Sequence, residues 1–177
     1  MKILIKSVIP VRKNSQRVKN KNIRKFNKKN LLKNKIEKLK KLNFLDEIIV
    51  NTDSDEAIRI AKKRGISYWK RNPYYASSTC PNSEFWKHIA ETTASEYIFF
   101  TNCTSPLVNI KTYKDIFLKF KKNLNKYDSI NTVTDIKQFI YLKGKPINFD
   151  PSKAPNSQNL PKMFSLNFAV NIIKRSV

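Results

Sequence analysis

Residues 8–26, VIPVRKNSQRVKNKNIRKF, are an apolar stretch that runs straight into a loop rich in Arg and Lys and free of carboxylates. A loop of that kind suits a polyanion. Arg12 follows the apolar stretch immediately, where its planar fork can grip a phosphate through two parallel hydrogen bonds, and Lys21 offers a mobile point charge further along. Ser15 and nearby backbone donors can add neutral hydrogen bonds. Asn22, donor and acceptor at once, suits a base edge or a ribose hydroxyl. The segment has neither Walker A spacing nor GxGxxG, so side chains rather than a glycine cradle must hold any phosphates. The alternative is a solvated basic loop; its position directly after the first predicted strand favours the binding role.

Other residue types with chemical potential are weaker candidates. Asp53 and Asp55 have the look of a metal pair, but capping a helix and complementing its dipole explains them fully. Thr104-Ser105-Pro106 forms either a plain turn or a set of small hydroxyl donors beyond a buried strand. The one histidine, His88, sits on a helical stretch, where a packing or surface role outweighs a catalytic one. Trp69 and Trp86 read as packing rather than stacking surfaces. Cys80 and Cys103 have no metal-knuckle spacing and read as two small buried thiols.

The elements that must position these residues alternate. Ile3 to Val11 reads as a β-branched strand, and Leu31, Leu32, Ile36, Leu39 and Leu42 follow at the spacing of an amphipathic helix. A second strand covers Glu47 to Asn51. The next helix has the capping-pair spacing from Asp53 to Glu56 and closes at Gly65. Ile66 to Trp69 is a third strand. A helix capped by Asn82 or Ser83 and carrying Phe85, Ile89 and Thr92 precedes the apolar strand Tyr97 to Phe100, and a further helix carries Tyr113, Ile116, Phe117, Phe120 and Leu124. Strands are expected at Ser129 to Val133, Phe139 to Leu142 and Phe168 to Ile173. Between the last two, residues 144–161 hold four prolines and read as a long functional loop. Alternating strands and helices predict an α/β fold of three layers around a mostly parallel sheet, with ligands beyond the carboxyl ends of the strands. The loop after Val11, the Thr52-Asp53 corner, the Asn102 to Pro106 turn and the Pro-rich loop are expected to gather there. No repeat or linker divides the chain, so it reads as one domain.

Composition narrows the function classes. With 36 basic and 13 acidic residues the formal charge is +23, which raises nucleic-acid binding as an alternative. The basic residues are mostly Lys, such as Lys33, Lys35, Lys38, Lys40 and Lys41. They are spread over helix faces as solvated charge, without the aromatic platforms of single-strand binders. No apolar run is long enough for a membrane span, and no signal-peptide core follows Met1, so a cytoplasmic location is expected.

The order of Pro10, Arg12, Ser15, Arg17, Lys21 and Asn22 resembles the nucleotide-binding loop of acylneuraminate (CMP-sialic acid) cytidylyltransferases. So do Lys29-Asn30-Leu31-Leu32, DEIIVNTDSDE at Asp46 to Glu56, Arg71 followed by Ala76-Ser77, and Asn102-Cys103-Thr104-Ser105-Pro106-Leu107. The likeness spans nearly the whole chain in the right order. It implies a nucleotidyltransferase fold of the nucleotide-diphospho-sugar transferase type, and transfer of CMP from CTP to a sialic-acid-like 2-keto sugar acid with release of pyrophosphate. By the resemblance, Arg12 and Lys21 are catalytic, and Arg12, Ser15, Lys21, Asn22 and Arg71 bind the nucleotide. Asn102, Thr104 and Ser105 bind the sugar acid, Mg²⁺ is the cofactor, and the product feeds surface-glycan synthesis. A homodimer is also implied, with Phe139 to Tyr141 as a candidate interface.

The chain departs from the family in three places. It reaches Val177 without the acidic segment that supplies the family's metal aspartates, which implies a C-terminally incomplete domain. It has Asn or Ser where the family has an arginine ahead of Gln158, and Asn167-Phe168 in place of the usual Asn-Gly pair. A nucleotide-binding remnant without turnover is therefore carried as an alternative, and a cytidylyltransferase for 3-deoxy-manno-octulosonic acid as the nearest rival enzyme.

Overall fold

A computed structural model describes residues 3–13, 15 and 18–176; Arg17 and the terminal Met1 and Val177 lie outside the described residues. The first strand, β1 (Ile5–Val11), alternates: Ile5, Ile9 and Val11 enter one apolar cluster, and Val8 enters another on the opposite face. After the basic loop, β2 (Lys25–Phe26) and β3 (Lys29–Asn30) form a small hairpin. Its turn residues Asn27 and Lys28 both take positive φ, 42° and 64°. That is the mirror-image two-residue turn whose twist suits a hairpin.

Helix α1 (Leu31–Leu39) starts at Asn30, whose side chain accepts the Lys33 N–H at 2.8 Å. Strand β4 (Glu47–Thr52) leads to α2 (Asp55–Lys63). Here Ser54, not Asp53, is the cap: its hydroxyl accepts the Ala57 N–H at 3.3 Å, and Asp55 and Glu56 occupy the first turn. The predicted stop is borne out. Gly65 has φ +60°, and the Gly65 and Ile66 N–H groups bond back to the Lys62 and Ala61 carbonyls, both at 3.0 Å.

Strand β5 (Ser67–Lys70), the single-turn α3 (Pro73–Ala76), α4 (Asn82–Thr92), β6 (Tyr97–Phe100) and α5 (Ile110–Lys122) follow. Neither Asn82 nor Ser83 caps α4: both lie within its first turn, and the cap position is Pro81, which offers no side-chain acceptor. The chain ends with β7 (Ser129–Ile136), the two-residue strands β8 (Tyr141–Leu142) and β9 (Lys145–Pro146), and β10 (Met163–Lys174).

The six-stranded sheet has the order β5-β4-β1-β6-β10-β7. Strands β5, β4, β1 and β6 are mutually parallel, and β10 runs antiparallel to β6. This is the expected three-layer, mostly parallel α/β fold. Helices α1, α2 and α5 pack on one face through Leu32, Ile36, Leu39, Ala57, Ala61, Tyr113 and Phe120. Helix α4 covers the other face, with Ile89, Phe85 and Trp86 against Val8, Ile98 and Phe100. The chain walks from β1 through β4 to β5 on one side of β1, then returns to place β6 on the other side. The strand order therefore reverses between β1 and β6, which is where such sheets open a crevice. No helix among the described residues is long and apolar enough to cross a membrane.

Two compact units are present: residues 1–131 with 169–177, and residues 132–168. Within the second, Thr132 donates to Asn167 Oδ1 at 2.7 Å and Asn167 Nδ2 donates to Thr134 at 3.2 Å. Phe139 and Tyr141 pack edge-on against Phe149. The expected strand Phe139 to Leu142 shrinks to β8, and the expected loop 144–161 carries β9 and two short 3-10 turns, Pro151–Lys153 and Ser157–Asn159. The final strand is longer than expected because it begins at Met163. Phe168, within it, holds φ 52°, a left-handed conformation that favours glycine.

Candidate active site

The carboxyl ends of β1, β4 and β6 lie side by side. Val11 is in register with Thr52, and the Thr101 N–H donates to the Val8 carbonyl at 3.2 Å. The basic loop, the Thr52-Asp53 corner and the Asn102–Pro106 turn therefore leave the same edge of the sheet, as the sequence predicts.

The start of the basic loop is pinned by Asp53. Its Oδ1 accepts the Lys13 N–H at 2.8 Å, so this carboxylate shapes the loop rather than capping α2. Arg12 is half-buried, and its Nη1 donates to the Ser77 carbonyl at 3.4 Å, a long contact that leaves most of the fork's donors for a ligand. The Ser15 hydroxyl oxygen is buried and has no hydrogen-bond partner among the described residues. A buried polar atom in that state is a ready acceptor or donor for a bound group. At the other end of the loop Asn22 is buried, and its carbonyl accepts the Leu32 N–H at 2.9 Å, which ties the loop to the first turn of α1. Lys21 is half-buried, and its charge is felt at the Cys103 thiol of the turn after β6.

Arg71 is set differently from a side chain that reaches into solvent. It is 5% exposed, and its Nε donates to Asn51 Oδ1 at 2.5 Å and its Nη2 to the Asn51 carbonyl at 2.7 Å. The guanidinium also lies 4.7 Å above the Phe85 ring. Burial draws it down to about 10, opposed by the Asp53 charge and reinforced by Arg12. Arg12, Asp53 and Arg71 thus form one electrostatic group at the end of β4. Nearby, His88 stacks on Tyr75 at 3.9 Å with its ring nearly parallel, and its pKa is lowered by burial and then by the Arg71 charge.

Asn102 and Ser105 are half-buried and Thr104 is exposed, in the turn that leaves β6 beside the end of β1. Beneath it lies Lys35, a residue read from sequence as part of a solvated lysine face. The structure corrects that: Lys35 is 1% exposed, and its Nζ donates to Thr101 Oγ1 at 2.9 Å and to the Tyr113 hydroxyl at 2.5 Å. The signal was its position inside the Leu32, Ile36, Leu39 stripe, where an apolar residue is expected. The two cysteines also separate: Cys103 is buried and its thiol is pushed up to about 12, while Cys80 is only half-buried. Trp86 packs on Phe100 at 4.3 Å, whereas Trp69 is 45% exposed and does not read as core.

The described residues do not by themselves fit a bound Mg²⁺. Among the described residues no three His, Cys, Asp or Glu side chains gather as a metal group, and Asp53 is already engaged by Lys13.

A cytidylyltransferase family model matches residues 7–150. The chain is 27% identical to post-translational flagellin modification protein B of Campylobacter coli over 94% of this chain and 76% of that protein. It is 29% identical to pseudaminic acid cytidylyltransferase of Campylobacter jejuni over 68% of this chain, spanning 54% of that enzyme's length. Among solved structures it is similar to CMP:2-keto-3-deoxy-manno-octonic acid synthetase complexed with CTP, with TM-score 0.74 and 11% identity over 98% of this chain and 75% of that one. A cytidylyltransferase from Leptospira borgpetersenii superposes with TM-score 0.64 and 19% identity over 98% of this chain and 61% of that one. These structural likenesses establish the fold.

Proposed function

The chain belongs to the cytidylyltransferase family, and from that premise we propose that it transfers CMP from CTP to a sialic-acid-like 2-keto sugar acid and releases pyrophosphate. One observation carries the reading. The basic loop that carries Arg12, Ser15, Lys21 and Asn22 follows β1, and the Asn102–Ser105 turn follows its parallel neighbour β6, so both leave the same edge of the sheet at the point where the strand order reverses.

In the reaction, the anomeric hydroxyl of the sugar acid attacks the α-phosphorus of CTP and its proton passes to solvent water. A new P–O bond forms as the bond to the β-phosphate breaks. Such a transfer needs alignment and neutralisation of the departing pyrophosphate more than a covalent nucleophile. Arg12 and Lys21 supply that charge on the triphosphate side, and Ser15 supplies a hydrogen bond from a hydroxyl that has no other partner among the described residues. Asn22 meets the nucleoside, and Asn102, Thr104 and Ser105 meet the acceptor. Arg71 serves the nucleotide side by fixing Asn51 and the end of β4, adding positive charge beside Arg12.

The relatives named for pseudaminic acid favour a nonulosonic acid as acceptor. Mg²⁺ remains the cofactor this reading implies; if bound it would neutralise triphosphate charge, and no residue of this chain is assigned to hold it. The finer parts of the proposal are a cytoplasmic site of action, a product used in surface-glycan synthesis, and a homodimer.

The test is pyrophosphate release by the chain with CTP and, in turn, pseudaminic acid, N-acetylneuraminic acid and 3-deoxy-manno-octulosonic acid. Release with a nonulosonic acid and CTP, and none with ATP, is expected. Thermal protection by CTP without release from any acceptor points instead to a nucleotide-binding protein without turnover. Protection by duplex DNA or RNA and not by CTP overturns the proposal.

A further inference from the structure

We infer that Lys35 is a positioning residue for the acceptor: its ammonium, enclosed by α1, α5 and the end of β6, holds the Asn102–Ser105 turn in the shape that meets the sugar acid. The inference rests on the reaction proposed above and assigns a role to a residue that the reaction does not touch.

Burying an ammonium is costly, and a leucine at this position in the α1 stripe would be the inexpensive way to fill the core. The cost is met by geometry. Lys35 Nζ has three protons, and three acceptors surround it: Thr101 Oγ1 at 2.9 Å, the Tyr113 hydroxyl at 2.5 Å and the Ser105 carbonyl at 3.5 Å. Thr101 Oγ1 donates onward to the Ala169 carbonyl at 2.7 Å, so one cation joins α1, β6, α5 and β10. One helical turn further along α1, Lys38 Nζ donates to the Pro106 carbonyl at 2.5 Å and to the Val108 carbonyl at 2.7 Å. Three carbonyls of the segment after β6 thus face lysines of a single helix. That helix begins where the Asn22 carbonyl accepts the Leu32 N–H, so α1 is a bar between the end of the phosphate loop and the acceptor turn.

Among the described residues the ammonium has no carboxylate partner. The titratable groups that face it are Cys103 of the turn, Tyr113 of α5, and Lys38 on its own helix. Burial pushes Cys103 and Tyr113 up to about 12, so both stay neutral, and it draws Lys35 down to about 8. Losing a proton removes one of three donors just where the turn is held, so the hold weakens as pH rises through that value.

The experiment has two arms. In the first, NMR of the full chain follows the Lys35 side chain and the Asn102–Ser105 amides from about pH 6.5 to about pH 9.5. The amides of the wild type are expected to shift with the Lys35 midpoint near 8, and those of Lys35→Met to lack that shift. Wild-type amides that do not follow Lys35 overturn the inference, whether or not the protein turns over and whether or not the variant folds. In the second arm, Lys35→Met is expected to raise KM for the sugar acid about tenfold while KM for CTP changes less than about twofold, the size of one lost charged hydrogen bond. Lys35→Gln, which keeps a donor, is expected to recover part of the loss. An unchanged acceptor KM in both variants overturns the inference. If the wild type releases no pyrophosphate with any acceptor, the proposed reaction fails and the first arm alone decides the role of Lys35.

Discussion

Replacing Arg71 with methionine removes the donors that hold Asn51 at the end of β4, and the size of the loss follows from the geometry. Asn51 Oδ1 and the Asn51 carbonyl accept at 2.5 and 2.7 Å, and Asn51 is 1% exposed, so water cannot take over either bond without opening the sheet. Each buried acceptor left without a donor costs about 1–3 kcal/mol. Methionine recovers packing on Phe85 but not the cation–π contact, and losing the buried charge itself gives some energy back. The net destabilisation is about 3 kcal/mol, or about 6–12 °C in Tm for a domain of this size. Urea unfolding followed by far-UV circular dichroism measures it, with the slope checked for constancy. A loss below about 1 kcal/mol would show that Arg71 is not anchored as described and is free to meet a nucleotide directly.

Further outcomes follow from the same structure. Asp53→Ala, which deprives the Lys13 N–H of its acceptor, weakens CTP binding about fivefold by calorimetry, and Asp53→Asn, which keeps an acceptor oxygen, stays near wild type. Ser54→Ala removes the α2 cap and lowers stability by about 1 kcal/mol in thermal melts. Phe168→Gly relieves the left-handed backbone at φ 52° and raises stability by about 1 kcal/mol; a loss of stability would contradict the strain argument. Glu37 is held below its ordinary value first by Lys29 and also by Arg64, so it stabilises the fold above the unfolded carboxylate pKa. That contribution disappears as pH falls through the lower folded value, and Glu37→Gln flattens the acid limb of the stability profile. Lys35 has the opposite consequence. Its folded pKa of about 8 lies below the unfolded 10.5, so the unfolded chain binds more protons between the two and stability rises with pH across that window, a rise absent from Lys35→Met.

The periodic elements were legible because burial leaves a pattern. Ile5, Ile9 and Val11 alternate, Leu32, Ile36 and Leu39 recur at helical spacing, and Gly65 marks a stop that only a left-handed residue makes well. The loop after β1 and the turn after β6 were legible as a pair, since a parallel sheet brings the carboxyl ends of its strands together. What was hidden depended on neighbours distant in sequence. Lys35 looked like one of many surface lysines until Thr101 and Tyr113, 66 and 78 residues away, were seen to enclose it. Asp53 and Ser54 compete for one cap, and the sequence does not show that Lys13 claims Asp53. The hairpin at residues 25–30 leaves no sequence signal because its turn is Asn-Lys, without the glycine that usually announces a positive φ. Residues 132–168 show only part of their structure in the sequence, since two-residue strands and 3-10 turns are too short to carry a period.

The central claim is that the β1 loop holds the triphosphate of a cytosine nucleotide. Calorimetric titration of CTP and of ATP into the wild type and Arg12→Ala tests it most directly. The account predicts that CTP binds and ATP does not, and that Arg12→Ala weakens CTP at least about tenfold, the loss of a charged, bidentate contact. Equal affinity for the two nucleotides, or CTP binding indifferent to Arg12, contradicts it.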